Sequence, residues 1–539
     1  MALWNLSGKR ILIVDDFPDM RSLMRGMVTA FGAQQVEQAR NGEEAIELLT
    51  RGRFDIVLCD YNLGEGKDGQ QVLEEAKHRE LLPFTTAFVM VTAENTTQMV
   101  MGALEHQPDA YLSKPVTKSV LQVRLQKLLE KKDVFRAINR SLDKGQPGKA
   151  LALIDEQLAL NSRYRFDLLK MKSDLLLRLG DYDEAETLCN AVLEERELSW
   201  VLFDLGRIHF HREQFTEACQ RFSGLIDQNQ AFVAAYDWLA RVQERMGNLG
   251  EAQQTLLKAV ERSGKSLLRQ RALGEISQRN QDYAVAESAR RKAVRIGKTS
   301  ALRQASDYTE LAKVLVGNDS AKEALKVADA IKHVFPNDPQ AALGATVVES
   351  HIQKAMGNEK RSQELLEQAL QTCNREETTV TTEIGLDLAR LCLQHGDKEM
   401  ANTLACQVVK NHHEDQQVLE QLTRLYREAG AEEEGKELVE KTSGEIVRIN
   451  NQGVKLLKEG KTGEAVELFQ QAVRGMPRNP IVNLNTAQSL ITLMGETEAT
   501  RPRLEAALAC LQAARDSTQY TELRNRLLAK CQGLAASLQ

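Results

Sequence analysis

The chain has 539 residues, more than one hydrophobic core ordinarily organises, so at least two structural units are expected. A formal net charge of -6 argues against a nucleic-acid-binding protein, and aromatics at only 5% favour many small helices over one large aromatic core. No apolar stretch approaches the roughly 18 residues of a membrane span. MALWNLSGKRILIVDD runs into acids too soon for a secretory leader, and eight scattered cysteines form no CxxC pair, so a cytoplasmic protein is expected.

The first 130 residues alternate between strand-like and helix-like runs. RILIV (10–14), QQVEQA (34–39), FDIVLC (54–59), FVMVT (88–92) and AYL (110–112) read as strands. Between and after them, 19–32, 42–50, 69–78, 95–104 and 118–132 have helical spacing. Such alternation predicts a parallel sheet covered by helices on both faces. In that architecture the active crevice lies beyond the carboxyl ends of the strands, where strand order reverses. Asp15 and Asp16 end the first strand, Asp60 the third and Thr92 the fourth, and Lys114 follows the fifth. Three crowded carboxylates need a cation or raised pKa values, and Mg2+ suits an oxygen site of this kind. A carboxylate can also accept a phosphoryl group, whose charge then needs donors such as a hydroxyl and an ammonium.

The set DD (15–16), D (60), T (92) and KP (114–115) resembles the receiver domain of bacterial two-component response regulators, the chemotaxis type included. The resemblance covers about residues 8–130 and implies a flavodoxin-like five-stranded α/β domain. It implies Asp60 as phosphoacceptor, with Asp16, Asp60 and the backbone carbonyl of Asn62 binding Mg2+ and Asp15 acting through water. It further implies that Thr92 and Lys114 contact the phosphoryl oxygens and that Tyr111 reorients on activation. A histidine kinase or phosphotransfer protein would be the donor. One departure stands out: the loop after Asp60, NLGEGKDG, is glycine-rich, lacks the family's usual proline and looks one residue longer.

Beyond residue 132 strand signals vanish and a six-residue word recurs: GQPGKA (145–150), GDYDEA (180–185), EQFTEA (213–218), GNLGEA (247–252), QDYAVA (281–286), DSAKEA (319–324), GNEKRS (357–362), GDKEMA (396–401), GAEEEG (430–435) and GKTGEA (460–465). A turn, a small residue and a helix at a period near 34 resemble tetratricopeptide (TPR) repeats. The expected organisation is a receiver over 1–130, an all-α TPR solenoid of about ten units over 131–495, and a C-terminal helical cap over 496–539. In the unit around residue 206, Leu202, Leu205, Gly206 and His209 are read as the inward positions. The resemblance weakens between 300 and 455, where Ser362 and Gly435 replace the usual alanine and the spacing wanders.

A solenoid offers surfaces for other chains, so an unidentified protein partner is expected for the array. Trp200, Phe203, Arg207 and Phe210 form a stripe off the repeat core and are the candidate partner-binding residues. Segment 269–304 carries nine Lys or Arg against three acids, a face suited to an acidic partner. Segment 118–145 has no proline, so the last receiver helix is expected to lead almost directly into the first repeat helix. The function these features imply is a phosphorelay response regulator in which phosphorylation at Asp60 gates protein binding by the repeats. Such a protein would be no enzyme beyond its own phosphorylation and dephosphorylation. The competing readings are a TPR-based phosphatase or regulator of another phosphoprotein, and a constitutive scaffold whose receiver is a phosphate sink.

Overall fold

A computed structural model of the chain describes residues 5–93, 108–160, 163–373, 380–497, 499–515 and 520–537. The chain divides into two compact units, one of Met1–Leu177 with Tyr182–Val314, the other of Leu315–Gln539 with Arg178–Asp181. All eight cysteines are free. Among the described residues no helix is long and apolar enough to cross a membrane.

The first unit begins with the five strands expected: β1 (Arg10–Val14), β2 (Gln35–Ala39), β3 (Ile56–Asp60), β4 (Ala87–Thr92) and β5 (Ala110–Ser113). They form one parallel sheet in the order β2-β1-β3-β4-β5. The connecting helices are α1 (Pro18–Ala30), α2 (Gly42–Arg51) and α3 (Gly69–His78), with α4 (Lys118–Val134) after β5. The helix read over 95–104 lies outside the described residues. Because side chains alternate along a strand, each apolar run feeds two cores. Ile11, Ile13, Ile56, Leu58, Val89 and Val91 pack against Met24, Val28, Leu121 and Leu125 of α1 and α4. Leu12, Val14, Val57, Cys59, Phe88 and Met90 pack against Ile46, Leu49, Val72 and Leu73 of α2 and α3. Pro18 opens α1, where a missing N–H costs nothing, and so ends the excursion of the acids promptly.

Helix α4 gives way to α5 (Arg136–Asp143) across the single residue Phe135. There follow α6 (Pro147–Ala159), α7 (Arg165–Leu179), α8 (Tyr182–Glu195), α9 (Ser199–His211), α10 (Phe215–Gln228), α11 (Val233–Arg245), α12 (Leu249–Arg262), α13 (Leu267–Arg279), α14 (Tyr283–Gly297) and the helix Ser306–Gly317; all belong to this unit except the last residues of α7 and of the helix Ser306–Gly317. Every recurrent word begins on a left-handed residue: Gly145, Gly180, Glu213, Gly247, Gln281, Asp319, Gly357, Gly396, Gly430 and Gly460 all have φ between 56° and 87°. A positive φ just past a helix lets the chain reverse while its N–H groups satisfy the last carbonyls, as Asn248 N does for Gln243 O. The sixth residue of each word is buried because the next helix presses there on its predecessor. In α9, Leu202, Leu205 and Gly206 are buried, with the ring of Phe222 against Gly206. His209, expected to point inward, is instead half-buried and bonds Gln214 at 2.8 Å; Val201 and Ile208 fill the core.

The second unit explains the irregular stretch. Ser362 takes the alanine position because Ser350 Oγ donates to its carbonyl at 2.7 Å and His395 Nε2 lies 2.9 Å from its hydroxyl. Gly435 takes it because Tyr426 leaves no room for a Cβ. The helix Glu432–Lys458 runs 27 residues without a break, which is why the next word follows after a shortened spacing.

Three of the left-handed positions carry a side chain: Glu213, Gln281 and Asp319. Gln281→Gly should therefore stabilise its turn by roughly 1 kcal/mol, and Gly247→Ala should weaken its own by a similar amount. Amide exchange of the flanking helices reads both. Equal protection in Gln281→Gly and wild type would contradict the assignment of strain.

Candidate functional site

The sheet order reverses between β1 and β3, and there the acids meet. Asp15, directly after β1, and Asp60, at the end of β3, are buried; Asp16 is half-buried. One carboxylate oxygen from each of the three lies within 4.8 Å of those of the other two. Lys114 Nζ donates to Asp60 Oδ2 at 2.7 Å and to Asp15 Oδ2 at 2.9 Å. Phe17 N and Arg21 Nη1 secure Asp15 through its Oδ1 and its carbonyl. Burial raises the Asp60 pKa, Lys114 opposing and Asp15 adding to the effect. Burial also opposes the Lys114 charge, but its bonds to Asp60 and Asp15 outweigh that and raise its pKa.

The remaining expected residues surround this centre. Thr92 ends β4 and accepts the Lys114 N–H at its carbonyl, 2.7 Å away. Tyr111 lies on β5 with a buried hydroxyl that bonds no atom among the described residues, and burial raises its pKa. Asn62 is exposed, two residues past Asp60. Asp16 Oδ1 is likewise buried without a partner among the described residues. Three converging carboxylates with one orphaned oxygen fit a hard divalent cation such as Mg2+.

The glycine-rich loop is held at both ends. Tyr61 N donates to Val91 O at 2.8 Å, and Gly69 N donates to Tyr61 O at 2.9 Å. Gly64 and Gly66 take left-handed φ values of 74° and 96°. A Cβ on Gly69 would stand 2.0 Å from the Asp60 carbonyl oxygen, so only glycine fits there. Asp68 caps α3 in a reciprocal capping box with Gln71. Sequence reasoning missed two residues that touch this loop from the repeats, Lys265 and Thr299. They lie far along the chain, and no local pattern announces them.

The aromatic stripe of α9 divides. Phe203 meets Phe222, Phe232 and Trp238, and Phe210 meets Phe215 and Trp238. Arg207 lies over the rings of Phe203 and Trp238. Trp200 packs instead with the cluster of Leu169, Val192 and Leu205. All four are half-buried. Beside them Asp204 is buried, accepting from Ser173 Oγ at 2.8 Å; burial and neighbouring Asp174 push its pKa up to about 6 despite Arg207. The basic residues of 269–304 are largely engaged internally: Arg269 with Asp237, Arg271 with Asp307, Arg279 with Glu244 and Arg291 with Glu287. The open basic face read from the sequence is thus mostly ion pairs inside the repeats.

Residues 11–126 match the family model for the response regulator receiver domain. Residues 135–199 and 233–266 match tetratricopeptide repeat models. Chemotaxis protein CheY-3 of Vibrio cholerae serotype O1 is 32% identical over 128 residues, 23% of this chain and 92% of that protein. Chemotaxis protein CheY of Pseudomonas aeruginosa is 31% identical over 122 residues, 23% of this chain and 97% of that one. Among solved structures, a CheY-like response regulator receiver domain protein from Methanospirillum hungatei is 28% identical, with 23% of this chain and 96% of that chain covered and a TM-score of 0.22.

Gly69→Ala must push the loop off Asp60 and should cost about 2–3 kcal/mol locally, read as faster amide exchange in β3 and α3. Unchanged exchange would contradict the close approach. For Asp204 the folded pKa lies above the unfolded value, so its contribution is present below about pH 4 and lost as pH rises through about 6. Asp204→Asn should remove that slope, gaining about 2 kcal/mol on wild type between about pH 4 and pH 7. Thermal melts at both pH values check it, and parallel curves would refute it.

Proposed function

We propose, for a chain that belongs to the response-regulator family and carries tetratricopeptide repeats behind its receiver domain, that phosphorylation of Asp60 controls protein binding by those repeats. The receiver domain makes the chain a component of two-component signalling, and the repeats are of a kind that binds proteins. The observation that carries the finer reading is the convergence of Asp15, Asp16, Asp60 and Lys114 at the reversal of strand order.

An Asp60 carboxylate oxygen attacks the phosphorus of a phosphohistidine on a histidine kinase or phosphotransfer protein. The O–P bond forms as the N–P bond breaks, and the imidazole leaves with the electron pair. Asp16, Asp60 and the Asn62 carbonyl would hold Mg2+, with Asp15 acting through water. When bound, that ion offsets the negative charge gathering on the transferring phosphoryl. Lys114 turns from Asp60 to a phosphoryl oxygen, and the Thr92 hydroxyl donates to another. Tyr111 answers that movement from the neighbouring strand. In the repeats, Phe203, Arg207 and Phe210 present rings and a cation to a partner chain, with Trp200 at the border of the same helix. The division of labour is a receiver over 1–130, repeats over 131–495 and a helical cap over 496–539, working in the cytoplasm without nucleic acid.

Full-length protein incubated with Mg2+ and a small acyl-phosphate donor should gain one phosphoryl group by intact mass, and Asp60→Asn none. Wild type that stays unmodified would refute the acceptor. Partner capture that ignores both phosphorylation and Asp60→Asn would refute the gating.

A further inference from the structure

We propose that Lys265 and Thr299 of the repeats clasp the acceptor loop of the receiver and so prolong the life of the phosphoryl group on Asp60. The proposal rests on the acceptor role assigned above. Lys265 Nζ lies 3.0 Å from Asp68 Oδ2 and 5.2 Å from the centroid of the Tyr61 ring. Gln71 Nε2 donates to Thr299 Oγ1 at 2.8 Å and reaches the Ile296 carbonyl at 3.4 Å. Ser300 Oγ stands 3.5 Å from Glu74 Oε2. Asp68 and Gln71 are the two halves of the α3 capping box, so the repeats grip the point where the loop ends and the helix starts.

The gripping segments are themselves fixed. Lys265 sits in the turn between α12 and α13, where Arg269 Nη1 donates to Ser263 O at 2.7 Å and Gln270 Nε2 to Gly264 O at 2.9 Å. Arg269 is buried and forms two bonds to Asp237. Beyond Thr299, Arg271 Nη2 donates to Leu302 O at 2.6 Å and its guanidinium pairs with Asp307. Thus the basic residues that look like a partner surface in the sequence brace two turns against the receiver.

The loop so held borders the acids: a Cβ on Gly64 would lie 3.4 Å from Asp16 Oδ2. Loss of the phosphoryl group is hydrolysis. A water oxygen attacks phosphorus, the bond from phosphorus to the Asp60 oxygen breaks, the carboxylate is released, and the water's proton leaves with inorganic phosphate. A loop fixed at both ends restricts the approach of that water, whereas one freed at Asp68 and Gln71 admits it. The Lys265 ion pair is half-exposed and individually weak, so the clasp can open.

The test uses the full chain, phosphorylated with Mg2+ and a small acyl phosphate, then freed of donor and followed by intact mass. Lys265→Glu and Thr299→Val should lose the phosphoryl group roughly threefold faster, the size expected for a weak ion pair or one hydrogen bond. Lys265→Arg, which keeps the charge, should decay as wild type does. An unchanged or longer lifetime in Lys265→Glu overturns the proposal. Should wild type accept no phosphoryl group, the acceptor reading fails by itself. Amide exchange of 61–74 in untreated protein then decides the clasp: faster exchange in Lys265→Glu than in wild type and Lys265→Arg supports it, and equal exchange overturns it.

Discussion

Lys114 stands between two carboxylates that would otherwise repel each other, with Asp16 close beside them. Unit charges about 5 Å apart interact by about 3 kcal/mol in a protein-like dielectric, so three acids within such a distance resist being brought together. An ammonium closer than 3 Å to two of them attracts each more strongly than any pair repels. Even so, one positive charge does not neutralise three negative ones, and one oxygen of Asp16 is left without a partner among the described residues. The burial of β1 and β3 on both faces holds this otherwise unfavourable cluster in place. Val14 is paired with Cys59 in the sheet, and the next residues along the two strands are Asp15 and Asp60. The apolar strands thus fix the position of the acids, and the acids leave a charge that a cation and a phosphoryl group can use.

The repeats rest on a different constraint, the distance of closest approach between paired helices. Gly206 faces Phe222, Gly453 faces Phe469 and Gly274 faces Arg290, each pair sixteen residues apart. At the same spacing Ser173 meets Cys189, and Ala240 shares a cluster with Leu256. Large residues face glycine, and smaller ones face alanine or serine, so the sum of the two sizes is kept while each partner varies. Arg290 is the exception in chemistry and follows the rule in volume. Its stem fills the place that Phe222 fills elsewhere, and its guanidinium reaches towards Glu310 at 3.9 Å.

Much of this is written locally and therefore readable in sequence. Strands buried on both faces are continuous apolar runs, and the left-handed turn with its small sixth residue is a six-letter word. Even Glu213, Gln281 and Asp319 are marked by their place in the word, although none is glycine. Tertiary partners are not written locally. Nothing near Lys265 reveals Asp68, and nothing in 269–304 distinguishes an open basic face from arginines paired with acids about 30 residues away. The stripe Trp200, Phe203, Arg207, Phe210 has helical spacing, yet which rings it meets depends on Trp238 and Phe232 of the next helix. The long helix Glu432–Lys458 was invisible for the opposite reason: it lacks a turn where a period predicts one.

Among the described residues, the contacts that join the receiver to the repeats within the first unit fall into two groups, and their separation gives them mechanical meaning. The first is covalent and stiff: α4 passes into α5 at buried Phe135. There Lys132 Nζ donates to the carbonyls of Phe84 and Thr86, and Asp143 accepts the Phe84 N–H. The second is the non-covalent contact of Lys265 and Thr299 with the start of α3. With no flexible linker at the first tie, a shift of the acceptor loop cannot be absorbed there. It must either carry the turns at 263–266 and 296–300 with it or break their contacts. These contacts are few and polar, whereas the helix pairs behind them are close-packed, so the junction yields before the repeats deform. A chemical event at Asp60 therefore meets a discrete boundary on the repeats, made or broken as a whole, in place of a gradual strain spread along the helices.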